Sequence, residues 1–246
     1  MAGKLHLIMP MGGGGTRFGS KGFHLPKPLI PLRGKPFFYW AARSVLKFTE
    51  VQDITFVVLQ EHIDGFQIDQ EILKHFPDAK IVVIPHVLNG AVLTCLEGIR
   101  GIKDDNPILF NDCDHAFLSD ELYDYISNGN YDLQGALLTF SSDDPCYSYV
   151  RFDESGTVNG TVEKQVVSNK AICGAYLFGN REIFEKAAAR YLKNCDYKEF
   201  FISGVYNELA KDGAVIGTFS VEPHLSFGTP DEYDLAVFDE RFKLLE

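Results

Sequence analysis

The strongest constraint in the chain is the run M-P-M-G-G-G-G-T-R-F-G-S-K-G-F-H-L-P-K-P-L-I-P-L-R-G-K-P at residues 9–36. An apolar stretch at residues 5–9 precedes it and reads as a buried first strand. An apolar-rich segment at residues 37–48 follows and reads as a helix. Gly12, Gly13, Gly14 and Gly15 at a strand end leave backbone N–H groups bare and able to approach a ligand closely. Such donors, with a helix start nearby, suit phosphate oxygens. Arg17 and Lys27 add positive charge beside them. A tight turn needs one or two glycines and no basic residues spaced behind them, so the combination points to a nucleoside triphosphate. Two familiar phosphate loops do not fit. A Walker loop needs Lys and then Ser or Thr after its last glycine, whereas Gly19 is followed by Ser20. A dinucleotide fingerprint needs a third glycine where Arg17 or Phe18 stands.

The double motif G-G-G-G-T-R-F-G and P-K-P-L-I-P-L-R-G-K-P resembles the signature of a nucleotidyltransferase family. That family includes sugar-1-phosphate nucleotidylyltransferases and phosphocholine-type cytidylyltransferases. The resemblance extends, more thinly, to Gly228-Thr229-Pro230. It implies an enzyme that joins an NMP from an NTP to a phosphorylated acceptor and releases pyrophosphate. It also implies roles for residues. Met11, Gly12, Gly13, Gly14, Gly15 and Thr16 would bind the nucleotide, with Arg17 on the departing pyrophosphate. Lys27 would hold the acceptor phosphate and the α-phosphate together. Relatives with this motif often serve capsule or surface-polysaccharide precursors through CMP or CDP links, which tilts the expected base toward CTP.

Asn111-Asp112-Cys113-Asp114-His115 follows a short apolar strand at residues 108–110. Carboxylates at i and i+2 in an extended segment share one face and can meet one Mg²⁺. The family keeps an aspartate at this strand end; by frame Asp114 corresponds best and Asp112 second. Residues 87–94 resemble the family segment that opens a helix against the base, with Asn89, Gly90 and Ala91 as backbone readers; an ordinary Asn-Gly turn is the alternative. Glu163-Lys164 resembles an acceptor-side pair, and Gly174 lies in a strand, C-G-A-Y-L-F, that resembles the family strand beside it. Leu225-Ser226-Phe227-Gly228-Thr229-Pro230 resembles a family segment whose aspartate is a second metal ligand and whose tryptophan precedes it. Here Ser226 stands for the aspartate, and His224 or Leu225 for the tryptophan.

Composition sets limits on partners. A net charge of −11 over 246 residues argues against nucleic acid and anionic membranes, so phosphate binding must be local. Arg17, Lys21, Lys27, Arg33 and Lys35 would supply that basic pocket. The five cysteines are scattered, without C-x-x-C spacing, and most read as core thiols. No leader or membrane span is evident, so the cytoplasm is expected. Self-association is left open. The chain ends soon after Pro230, so no appended β-helix or acyltransferase domain is expected.

Strand-like runs at residues 54–59, 80–84 and 108–110 alternate with helical patterns at 67–75 and 91–100. Further strands are expected at 135–140, 147–152, 158–162, 171–178 and 215–221, and helices at 181–192, 200–211 and 230–245. The expected fold is α/β and Rossmann-like (GT-A-type): a mixed, mostly parallel central sheet with helices on both faces. A single domain is expected, with a nucleotide-binding half at about 1–115 and an acceptor-binding half at about 116–246. A GT-A-type glycosyltransferase and a non-catalytic nucleotide-sugar sensor are the competing functions. The Thr16-Arg17 and Pro26-Lys27-Pro28 clamp disfavours the first, because a nucleotide-sugar donor has no pyrophosphate to lose. Only Ser226 favours the second. A cytidylyltransferase acting on a phosphorylated alcohol is the nearer alternative.

Overall fold

The computed structural model describes residues 4–246. Its first strand, β1 (Leu5–Met11), leads through the glycine loop to a single turn, α1 (Thr16–Gly19). A small ribbon, β2 (Pro31–Leu32) with β3 (Lys35–Pro36), precedes α2 (Phe37–Leu46). Then come β4 (Val51–Leu59), α3 (Gln60–Phe66), α4 (Ile68–His75), β5 (Lys80–Ile84), α5 (Ala91–Gly98) and β6 (Ile108–Asn111). The second half holds β7 (His115–Phe117), α6 (Asp120–Asn128), β8 (Gly135–Ser141), β9 (Ser148–Phe152), β10 (Val158–Glu163) and β11 (Lys170–Phe178). It closes with α7 (Arg181–Asn194), α8 (Ile202–Lys211), β12 (Ile216–Ser220), β13 (His224–Ser226) and α9 (Pro230–Ala236).

Nine strands form one sheet in the order β10-β9-β11-β6-β1-β4-β5, with β8 paired to β11 and β12. β1 runs parallel to both β4 and β6, and β11 runs antiparallel to β6. The expected mixed, mostly parallel α/β architecture is present, and both halves of the chain contribute strands to it. From β1 the chain moves outward to β4 and β5, then crosses back to β6 on the other side. That reversal opens a crevice at the carboxyl ends of β1 and β6, the place where open α/β sheets bind ligands. The glycine loop follows β1, and Asp112 and Asp114 follow β6.

Alternation along β1 builds the two faces. Leu5, Leu7, Met9 and Met11 join a buried cluster with Phe38, Ala42 and Ile72 from α2 and α4. Ile8 points the other way, into a cluster with Val92, Phe184 and Val205 from α5, α7 and α8. A third cluster lies beneath the signature loop. Phe18 packs edge-on against Phe37 at 5.6 Å, Phe37 against Phe227 at 4.7 Å, and Trp40 against Phe242 at 5.0 Å. This aromatic chain ties the loop to the C-terminal segment, which basic residues also clamp: Arg33 donates to the Val237 carbonyl and Arg43 to that of Leu245.

Several elements differ from expectation. The helix expected from residue 67 begins at Ile68, because Gln67 takes a left-handed φ of 53° that separates α3 from α4. The helix expected at 230–245 stops at Ala236, and a 3₁₀ turn, Glu240–Leu245, restarts behind an Asp239 cap that accepts from the Arg241 N–H. Its start is as the sequence indicates, with Pro230 at the first position and a Thr229–Glu232 capping box. Helix α6 and the β7–β13 ribbon were not anticipated. All five cysteines are free, with Cys95, Cys113 and Cys173 buried.

Candidate active site

The crevice holds a cavity of about 380 Å³ lined by Met11, Gly13, Gly15, Arg17, Lys27 and the two aspartates, among others. Gly15 turns the loop with φ +58°, and a Cβ there would lie 3.1 Å from Lys27 Cβ. The loop therefore folds back against the lysine. Gly13 faces open space, with nothing within 4 Å of a Cβ. Gly12 serves packing instead: a Cβ would stand 2.6 Å from Ile84 Cδ1. Arg17 is exposed and forms no ion pair among the described residues.

Lys27 Nζ donates to Asp114 Oδ2. Burial alone would lower the ammonium, but Asp114 outweighs it, and the Lys27 pKa is raised. Burial would likewise raise Asp114, but Lys27 holds its carboxyl below the usual range. Asp112 forms no ion pair among the described residues; burial, with the neighbouring Asp114 charge, pushes it up to about 8. The two carboxylates are not on one extended face, as expected from their i, i+2 spacing. β6 ends at Asn111, a turn intervenes, and β7 begins at His115. The turn is pinned where the Asp112 N–H bonds the Gly174 carbonyl and Asp114 accepts from the Phe227 N–H on its own carbonyl. Both carboxylates nonetheless face the same opening.

A second cavity of about 510 Å³ adjoins the first and shares Arg17, Asp112, Asp114 and Gly228 with it. Tyr147, Lys164, Gly174, His224 and Ser226 line its far side. Lys164 is held at φ +54°, its N–H bonded to the Tyr147 carbonyl. Gly174 has φ +98°, and a Cβ there would lie 3.0 Å from Asp112 Oδ2 and 3.1 Å from His115 Nε2. At Gly228 a Cβ would lie 2.5 Å from Asp114 Oδ2. At both glycines the backbone packs closely against a carboxylate, leaving no room for a side chain. Along β13, Leu225 is buried in the core, while His224 and Ser226 face the cavity.

Several residues named from sequence lie elsewhere. Asn89, Gly90 and Ala91 line neither cavity. The Asn89 carbonyl accepts from the Phe200 N–H, the Val92 N–H donates to the Phe200 carbonyl, and a Cβ on Gly90 would fall 2.8 Å from Phe200 Cα. The Asn89 carbonyl and the space over Gly90 are thus taken by the segment ahead of α8, which brings Glu199 to the first cavity. Glu163 accepts from Ser148 Oγ at 2.7 Å and from Ser203 Oγ, so it braces β10 against α8 beside the second cavity. Gly14 and Thr16 open toward a side recess with His24 and Glu61, although Thr16 also reaches the first cavity. Lys21, Arg33 and Lys35 do not join the basic pocket: Arg33 holds the C-terminal segment and Lys35 sits over the Tyr39 ring. Glu199, Tyr147 and His224 were missed as cavity residues because only tertiary folding brings them there.

A family model for nucleotidyl transferases matches residues 6–233, and the chain belongs to that family. It is 26% identical over 120 residues to the 2-C-methyl-D-erythritol 4-phosphate cytidylyltransferase of Clostridium perfringens (strain SM101 / Type A), covering 49% of this chain and 51% of that one. The match thus spans about half the length of that relative. Among solved structures, the nucleoside-diphosphate-sugar pyrophosphorylase of Vibrio cholerae RC9 superposes with a TM-score of 0.80 at 20% identity, covering 95% of this chain and 100% of the other. The inositol-1-phosphate CTP transferase of T. maritima gives 0.77 at 15% identity, covering 100% and 96%. These likenesses show the fold. Family membership makes the chain an NTP-using transferase.

Proposed function

We propose that the protein transfers an NMP from an NTP to a small phosphorylated acceptor, a sugar 1-phosphate or similar phosphate ester, and releases pyrophosphate. A single catalytic domain would do this, in the supply of activated precursors for a surface polysaccharide. The observation that carries the reading is Lys27: it packs against the glycine loop at Gly15 and lines the first cavity, paired with Asp114, which borders both cavities. An acceptor phosphate is already a nucleophile at neutral pH, so no general base is required. Catalysis is then positioning and charge neutralisation. In this scheme the amides around Gly13 and Gly15, with Arg17, hold the β- and γ-phosphates. Lys27 draws the acceptor phosphate toward the α-phosphorus while its partner Asp114 fixes the ammonium. The acceptor oxygen attacks, the bond from the α-phosphorus to the bridging oxygen breaks, and pyrophosphate leaves toward Arg17. The acceptor's organic part lies in the second cavity, with Lys164 at its edge.

Mg²⁺ fits this donor set. Among the described residues no three His, Cys, Asp or Glu side chains gather into a metal cage. Mg²⁺ needs only one or two carboxylates with substrate phosphates. Asp112 is a half-buried carboxylate that forms no ion pair among the described residues, and a cation would offset its desolvation. Asp112 and Asp114 would hold the ion, which when bound supplies neutralisation of phosphate charge.

A second reading keeps the transfer and changes the acceptor to a phosphorylated alcohol, with CTP as donor. It is favoured by the likeness to a cytidylyltransferase. Pyrophosphate release from each of four NTPs against a panel of sugar phosphates and phosphorylated alcohols tests both. Thermal shifts with each NTP and Mg²⁺ test the base: CTP should give the largest, and a larger one from GTP or dTTP defeats that choice. No pyrophosphate from any pair defeats the transfer itself.

A further inference from the structure

The connection between α7 and α8 brings one carboxylate to the first cavity. Three acidic residues line that cavity: Asp112, Asp114 and Glu199. The two aspartates belong to the turn after β6, and Asp114 is paired with Lys27. Glu199 comes from the other half of the chain. Among the described residues its carboxylate forms no ion pair, and its one hydrogen bond is at the backbone, where its carbonyl accepts from the Cys195 thiol at 4.0 Å.

Glu199 is exposed, but it starts from a fixed point. The next residue, Phe200, donates its N–H to the Asn89 carbonyl and accepts from the Val92 N–H on its own carbonyl. Gly90 approaches so closely that a Cβ there would lie 2.3 Å from the Phe200 nitrogen. The Phe200 ring packs edge-on against Tyr191 at 6.2 Å. The segment is therefore seated on the start of α5.

These contacts also say which end of the cavity Glu199 occupies. Gly12 packs against the same helix, with a Cβ 3.3 Å from Thr94. Gly15, three residues on, packs against Lys27. The glycine loop thus runs from the α5 side, where Glu199 enters, to the side of Lys27 and Asp114. A carboxylate is anionic and accepts only. Beside a triphosphate it would repel, so its place at the end away from Lys27 suits the uncharged nucleoside. Among pyrimidines, cytosine presents an amino donor to which a glutamate can bond. Uracil and thymine present a carbonyl oxygen at that position, acceptor against acceptor.

We propose that Glu199 determines nucleotide specificity by accepting a hydrogen bond from the exocyclic amino group of cytosine. This rests on the transfer reading above and deepens its choice of CTP. The base would be read by a side chain ahead of α8 rather than by Asn89, Gly90 and Ala91. CTP and UTP have nearly the same size and charge, so this one contact should separate them. A hydrogen bond to a charged group supports a preference of about 10- to 100-fold.

Calorimetric titration of the full chain with Mg²⁺ and CTP, UTP or dCTP tests this, with no acceptor present and so no turnover. CTP should bind about tenfold or more tightly than UTP. Glu199→Gln keeps the length and removes the charge. Its amide can offer oxygen to cytosine or nitrogen to uracil, so the CTP-to-UTP ratio should fall to about threefold or less. The CTP-to-dCTP ratio and the urea stability of the free protein should not move. The proposal is overturned if wild type binds UTP or a purine nucleotide as tightly as CTP, or if Glu199→Gln keeps the wild-type ratio. A change in the CTP-to-dCTP ratio alone would put Glu199 on the ribose, and an equal loss of both nucleotides with lowered stability would make it structural; either result also overturns it. If no acceptor yields pyrophosphate, the transfer reading falls, while the CTP-to-UTP ratio still decides the part played by Glu199.

Discussion

Replacing Lys27 with Ala should divide its structural and chemical contributions. The Lys27 and Asp114 side chains are 21% and 25% exposed, so the pair is mostly buried. Breaking a fully buried ion pair by deleting one partner costs about 3–5 kcal/mol. Water reaches this one, so a stability loss of about 2 kcal/mol is expected in Lys27→Ala. The effect on turnover should be larger. Losing one preorganised group that neutralises developing charge typically costs about 100- to 1,000-fold, and Lys27 is proposed to hold both reacting phosphates, so a fall of about 1,000-fold or more, equal to about 4 kcal/mol, is expected. Lys27→Arg should retain most of the stability and still lose turnover, because a planar fork does not replace a compact ammonium beside Gly15. The double variant Lys27→Ala with Asp114→Asn removes the stranded charge and should recover stability without recovering activity. Urea unfolding and pyrophosphate release measure the two quantities on the same samples. Turnover within tenfold of wild type in Lys27→Ala, or full activity in Lys27→Arg, would falsify the assigned chemistry.

Three further outcomes follow from particular contacts. Asp112→Asn should strongly raise the Mg²⁺ concentration needed for half-maximal turnover, and Ser226→Asp should lower it by adding an anionic ligand at the cavity edge; an Asp112→Asn titration that overlays wild type would remove Asp112 from the site. Gly90→Ala should destabilise by about 2–5 kcal/mol, combining left-handed strain with overlap on the Phe200 backbone, and a change below about 1 kcal/mol by urea unfolding would contradict the close approach. His6 bonds Asp53 at 2.9 Å and Asp104 at 2.8 Å; burial would lower its pKa, but the two carboxylates outweigh it and raise it above 6.5. Its charged contribution to stability is therefore full below pH 6.5 and lost as pH rises through the higher folded value. His6→Gln should lie about 2 kcal/mol below wild type at pH 6 and show a flatter decline up to pH 9; identical slopes would refute this assignment.

The signature loop was legible because its chemistry is local. Four glycines, Arg17 and Lys27 lie within sixteen residues of each other, and the apolar runs on either side identify a strand and a helix without tertiary knowledge. Thr229 and Pro230 likewise announce their own helix start. Helix α6 was not legible, because only Leu122 and Ile126 are fully buried in its length, with Tyr123 and Tyr125 partly so. The β7–β13 ribbon joins three-residue strands more than a hundred positions apart, below the reach of any periodicity. Asn89-Gly90-Ala91 meets a neighbour that the sequence did not show. Its glycine does permit a close backbone approach, but the approaching backbone is that of Phe200.

The acidic pair shows how the remaining gap arises. From spacing alone, Asp112 and Asp114 looked equivalent, two carboxylates on one face of a strand. Folding makes them different by ending β6 at Asn111 and turning between them. Asp114 falls beside Lys27 and stays ionised, while Asp112 falls beside Gly174 and His115 without a cation. One loop thus presents an already compensated carboxylate to the phosphate cavity and an uncompensated one to the wall between the two cavities. The residue chosen by frame as the better ligand, Asp114, is the one whose charge is already neutralised. The physical demand for a cation is greater at Asp112. Sequence could name the pair, but only the position of Lys27, carried eighty-seven residues away in the chain, decides which member still needs a partner.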